Sequence, residues 1–132
     1  MTPPPKEDRP VAALLAPDLL ALLDEDPRSV GVETEEMHPR DLADVAEALP
    51  AEKVPELLAA LPPERAADVI EYLDEELRTI VLEAMTARQA ATIVSAMTPD
   101  DRADVLEELE EEHADEILAE IPAEDRRITE QL

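Results

Sequence analysis

The sequence predicts an all-α fold, and three observations carry that prediction. Ala, Leu and Glu are abundant, while β-branched and aromatic residues are sparse, with one Tyr and no Phe or Trp. Apolar residues return every twelve positions in register. Capping and helix-starting residues stand where helices of that period would begin. The 132 residues suit one domain, or a domain with a tail.

Taken in order, residues 1–10, Met1-Thr-Pro-Pro-Pro-Lys-Glu-Asp-Arg-Pro10, read as a flexible Pro-rich leader. They lack the basic-then-apolar order of a secretory signal. Residues 11–36 read as a leading helix and a connection. The helix occupies Val11 to Asp24, with its main part starting at Pro17-Asp18-Leu19-Leu20. The connection, Pro27 to Glu36, holds the only glycine, Gly31.

Residues 37–132 form the repeat domain. Met37, Leu49, Leu61, Leu73, Met85, Met97, Leu109 and Ile121 mark the beat. A second column runs Val45, Leu57, Val69, Val81, Ile93, Val105, Ile117, and a third Ala46, Leu58, Ile70, Leu82, Val94, Leu106, Leu118. Within a unit, as in Val69, Ile70 and Leu73, these positions share one stripe of a 3.6-residue helix. Thr98-Pro99-Asp100-Asp101 offers an N-cap hydroxyl, a proline at the first helical position and carboxylates in the positive first turn. Thr86 and Gln89 have capping-box spacing, and Asp74 caps Glu75 and Glu76. Each helix should run about nine residues, too short to persist alone in water. Stability must come from stacking each unit on its neighbours, as a curved array of short helices. Ala66, Ala67, Ala90, Ala91 and Ala103 permit close approach. Arg126 to Leu132 carries no Gly or Pro stop signal, the reading of a helix cut mid-course in a longer protein.

Composition narrows the function classes. No Cys excludes disulfides and thiolate metal sites. One glycine excludes a Gly-rich phosphate loop. The longest apolar stretch, Val11 to Ala16, is far below the ~20 residues a bilayer needs. A net charge of −24 repels nucleic acid and anionic lipid, and favours cations or basic partners. His38, before Pro39, and His113, inside an acidic run, have no nucleophile at a meaningful spacing, so a surface or capping role is the reading for both. Ser29, Ser95 and Tyr72 have no catalytic motif around them. The sequence does not read as an enzyme.

Carboxylates are the available chemistry. Residues 1–66 hold 15 acidic and 6 basic side chains, a balance of −9; residues 67–132 hold 20 and 5, a balance of −15. From Asp100 to Glu120 only Arg102 is basic. Asp100 and Asp104, four apart, share one helix face. Converging carboxylates repel one another, and a hard divalent cation relieves that through oxygen ligation; Mg²⁺ does so while keeping several waters. One helix cannot complete an octahedron, so binding by this domain alone should be weak. The spacing alone equally fits a solvated acidic face, and as an isolated feature favours it.

The stretches His38-Pro39-Arg40-Asp41-Leu42-Ala43-Asp44-Val45, Leu61-Pro62-Pro63-Glu64-Arg65-Ala66-Ala67-Asp68-Val69 and Thr98-Pro99-Asp100-Asp101-Arg102-Ala103-Asp104-Val105-Leu106 resemble the N-terminal cytosolic domain of MgtE-type magnesium transporters. The resemblance covers about Met37 to Leu132. It implies a right-handed superhelix of short helices with the 12-residue repeat, followed in the family by paired CBS domains, a connecting helix and a transmembrane pore, usually as a homodimer. It implies a cytosolic Mg²⁺-sensing regulatory role at the cytoplasmic face of the membrane. There, Mg²⁺ bridges the acidic N and CBS domains and closes the pore when intracellular Mg²⁺ is high. Carried over by motif, the metal-facing residues are Asp68, Asp100 and Asp104, with CBS domains of the same chain as partner and a weak, interfacial Mg²⁺. Nucleic acid is not an implied partner, and the membrane is reached only through the pore domain. At Asp68 family members often carry the longer Glu, and the segment before Met37 departs from the family's usual leading helices. The same module occurs in CBS adaptors and flagellar-motor accessory proteins, so a metal-indifferent helical-repeat scaffold is the competing expectation.

Overall fold

The computed structural model describes residues 8–122, with side chains from Leu15 onward. Expectations placed on residues 1–7 and on Arg126 to Leu132 lie outside them. The described helices are α1 (Asp8–Glu25), α2 (Val30–Glu33), α3 (Pro39–Ala48), α4 (Val54–Ala59), α5 (Pro63–Tyr72), α6 (Glu75–Ala84), α7 (Ala87–Val94), α8 (Pro99–Glu108) and α9 (Glu111–Glu120). Short 3₁₀ turns at Pro27–Ser29 and Ala51–Lys53 lead into α2 and α4. Among the described residues there is no strand, and no helix is long and apolar enough to cross a membrane.

The helix starts at Pro63, Glu75, Ala87, Pro99 and Glu111 fall twelve residues apart. Their caps are the ones the sequence offers. Asp74 accepts from the Leu77 N–H at 2.9 Å and Thr98 from the Asp101 N–H at 3.3 Å. Thr86 and Gln89 form the reciprocal capping box. His38 Nδ1 accepts the Arg40 N–H at 3.0 Å, so the histidine itself caps α3.

The turns explain how a chain with one glycine reverses direction so often. Leu49, Leu73, Leu109 and Ile121 end their helices in extended conformation, with negative φ. Each donates its N–H to the carbonyl three residues back, and after Leu73 and Leu109 the next residue, Asp74 or Glu110, is already an extended N-cap. No left-handed residue is required. Gly31 serves a different need: a Cβ there would stand 3.3 Å from the Ala60 carbonyl oxygen, where α2 approaches the end of α4.

All three apolar columns are buried, save Met37 and Leu118, which are half-buried. Leu57, Leu58, Ile70, Leu82 and Ile117 are fully enclosed, each contributing roughly 1.5–3 kcal/mol relative to exposure. Contacts run mainly between alternate helices: α1, α3, α5, α7 and α9 form one row, and α4, α6 and α8 a second. The packing unit is therefore two helices, or two beats of the repeat. Arg78 links α6 to α8 by a two-pronged bond to Glu108, at 2.8 and 2.7 Å, with both side chains largely buried.

Three local expectations need correction. Pro17 does not start a helix; it lies inside α1, which begins at Asp8, within the stretch read as leader. Burial of Ala16, Leu19 and Leu23 in the common core outweighs the lost backbone bond at proline. The connection Pro27 to Glu36 is folded into a 3₁₀ turn and α2, held by fully buried Val30 and by buried Thr34, whose hydroxyl donates to the Val30 carbonyl at 2.6 Å. The unit after Pro50 splits into a turn and the six-residue α4, because Pro55 permits helix only from its own first turn.

Candidate functional site

The acidic face of α8 is built from its first turn outward. Thr98 caps, Pro99 opens the helix, and Asp100 follows, exposed, in the turn where unpaired backbone N–H groups favour negative charge. One turn on, Asp104 is exposed on the same face. Between them Arg102 turns inward and is only 4% exposed. Its Nε donates to the Val94 carbonyl at 3.2 Å, and Nη2 to those of Ser95 and Met97 at 3.3 and 3.0 Å. The one cation of the acidic stretch thus closes the carbonyl end of α7. It is held away from the solvent side on which Asp100 and Asp104 stand.

The same division recurs on α5. Asp68 is exposed, while Arg65, three residues before it, reaches back to the Met37 carbonyl at 2.7 Å. Glu71, one turn after Asp68, lies within the field of the Asp101 carboxylate at the start of α8. Burial, then the negative charges of Asp101 and Asp68, hold the Glu71 carboxyl above its usual range. Asp68 and α8 are therefore in electrostatic contact through Glu71 and Asp101, which the sequence reading did not select. Asp44 and Glu47 on α3 stand 24 residues before Asp68 and Glu71, one packing unit earlier in the same row. Glu47 is likewise raised, by burial and then by Asp74 and Asp44. That 24-residue recurrence was the signal available for Glu71.

The structure pairs Asp100 with Asp104 on one helix and leaves Asp68 on another. Among the described residues no three His, Asp or Glu side chains are arranged to hold a metal ion. The donors are hard, exposed oxygens without a bridging cation, which fits one side of a water-rich shared site for a hard divalent ion and does not fit an all-protein cage. The histidines hold helices: His38 caps α3, and His113 Nε2 lies 3.0 Å from the Leu82 carbonyl oxygen of α6.

Residues 37–132 match the family described as the MgtE intracellular N domain. Among solved structures, the chain superposes with a TM-score of 0.74 on one titled "Crystal structure of the soluble part of a magnesium transporter". Sequence identity is 19%, and the alignment covers 93% of this chain and 48% of that one, so the likeness shows the fold and this chain spans about half the length of its counterpart. No curated protein sequence matches. The family match takes in the repeat from its first beat, including every helix that carries Asp68, Asp100 and Asp104, and the chain belongs to the MgtE intracellular N-domain family.

Proposed function

We propose that the chain is the Mg²⁺-responsive regulatory domain of an MgtE-like magnesium transporter, acting at the cytoplasmic face of the membrane as a binding module rather than an enzyme. The observation that carries this reading, beside the family, is the α8 face: Asp100 and Asp104 exposed, with Arg102 withdrawn to the end of α7. Asp100, Asp104 and Asp68 would present oxygen ligands to a partly hydrated Mg²⁺ whose remaining partners are carboxylates of a CBS domain in the same transporter. Bound there, the ion supplies two positive charges between surfaces that otherwise repel. Docked and separated arrangements then differ in population with the ion, closing the pore when Mg²⁺ is high, in a full-length homodimer.

Millimolar Mg²⁺ should stabilise the chain against thermal unfolding beyond the effect of NaCl at equal ionic strength, by a free energy of less than ~2 kcal/mol because half the ligands are absent. The double substitution Asp100→Asn with Asp104→Asn should abolish that difference. An unchanged response in the double variant refutes the site. Failure of Mg²⁺ to promote docking to a supplied CBS pair refutes the function. The absence of a closed three-ligand group among the described residues favours a second reading, a metal-indifferent docking scaffold. That reading predicts CBS docking of equal strength with and without Mg²⁺.

A further inference from the structure

The acids proposed above to face Mg²⁺ stand on helices that are not main packing partners. α5, with Asp68, packs chiefly on α3, α4 and α7, whereas α8, with Asp100 and Asp104, packs on α6 and α9. Between α5 and α8 themselves, Glu71 meets the field of Asp101, and like charges push the two helices apart. Another group must hold α8 in place.

Arg78 of α6 does so. Its Nε and Nη2 donate to the two oxygens of Glu108, in the last turn of α8, at 2.8 and 2.7 Å. Its Nη1 donates at 3.3 Å to the carbonyl of Leu73, the residue that ends α5. One largely buried guanidinium thus joins α6, the end of α5 and the last turn of α8. The repeat shows that packing does not require an arginine there. Twelve residues before, and 12 and 36 after, the same position holds buried Ala66, Ala90 and Ala114. Arginine returns at intervals of 24, as Arg102 and Arg126, and Arg102 closes the end of α7. α8 is therefore anchored twice, by Arg102 to α7 and by Glu108 to Arg78, with Asp104 between the anchors. Two anchors restrain the rotation of a helix, and rotation decides which way Asp100 and Asp104 face.

We propose that Arg78 is a positioning residue for the Mg²⁺ face, holding Asp100 and Asp104 of α8 in register with Asp68 of α5. This rests on the Mg²⁺ reading above, in which a partner surface must meet all three acids at once. Arg78 itself meets neither ion nor partner. Without it, only a fraction of molecules present the three together, and docking weakens by the inverse of that fraction.

Two measurements test it. The chain has no native Cys, so nitroxide labels at Glu64→Cys on α5 and Glu107→Cys on α8, both exposed, report the distance between the helices by pulsed electron resonance. The parent should give one narrow distance, and Arg78→Met and Glu108→Gln should each broaden it. Val45→Ala, a core cavity in α3 away from these helices, should not. In the unlabelled chain, the Mg²⁺ concentration for half-maximal docking to a supplied CBS pair should rise about three- to tenfold in Arg78→Met and Glu108→Gln. It should stay unchanged in Val45→Ala, which separates positioning from general loss of stability. Glu108→Gln keeps the side-chain size and decides the question if Arg78→Met does not fold. An unbroadened distance, or a Mg²⁺ requirement that does not move, overturns the positioning role. Docking indifferent to Mg²⁺ in the parent refutes the Mg²⁺ reading itself, and the positioning role with it, whatever the distances show.

Discussion

Glu47 stands where carboxylates crowd from two directions, with Asp44 one turn back on α3 and Asp74 at the head of α6. Burial first, then Asp74 and Asp44, raises its pKa above 4.5, against an opposing hydrogen bond from the Asp74 backbone. A carboxyl raised in the fold binds its proton more tightly there than in the unfolded chain. Its contribution to stability is therefore complete below pH 4.5 and is lost as pH rises through the raised value. Glu47→Gln, which keeps the shape and discards the charge, should melt above the parent at pH 7 and close to it at pH 4. A pH series of thermal unfolding curves reads this directly, and equal displacement at both pH values would refute it. Such residues were only partly legible in the sequence. Caps were readable because a hydroxyl or carboxylate three residues before its acceptor N–H is a local pattern. Arg102 was not, since its partners Val94, Ser95 and Met97 lie across the turn, and charge along the chain does not show which way a long side chain folds back.

At the scale of the helix, α1 shows where local signals and packing part. Pro17-Asp18 has the same look as Pro99-Asp100, which does begin a helix. What differs is the residue in front: Thr98 caps, whereas Ala16 is itself part of the buried stripe with Leu19 and Leu23. The stripe continues through the proline, and burial on α3 keeps the helix whole. Proline in that position removes one backbone donor and crowds the carbonyl four residues earlier. Pro17 is exposed, so Pro17→Ala leaves the core intact. It should stabilise the fold by roughly 1–3 kcal/mol. Denaturant unfolding with an unchanged slope would measure the gain. A loss of stability would mean that proline contributes more by restricting the unfolded chain than it costs in the helix.

Across the whole molecule, the twelve-residue beat was legible because each unit solves the same problem, burying a three-position stripe on a helix too short to stand alone. The pairing of alternate helices was not, because a repeat of twelve fits a helix leaning on its nearest neighbour as well as on the one beyond. The charge of −24 was plain, while its arrangement emerges only from the fold. Arg65 and Arg102 reach backbone carbonyls and Arg78 a largely buried carboxylate, so these three stitch the interior, and the 35 acids outnumber the cations left to answer them at the surface, Lys53 and Arg88 among these. Such a body is destabilised by its own field, and screening should help it. Raising NaCl from about 10 to 500 mM shortens the Debye length from about 30 to under 10 Å and should raise the melting temperature. The Arg78–Glu108 bond, little exposed to solvent, is screened far less. The destabilisation caused by Arg78→Met should therefore stay nearly constant along the same salt series. A chain whose melting falls with salt, or a variant whose deficit disappears at 500 mM, would show that the surface acids are compensated after all.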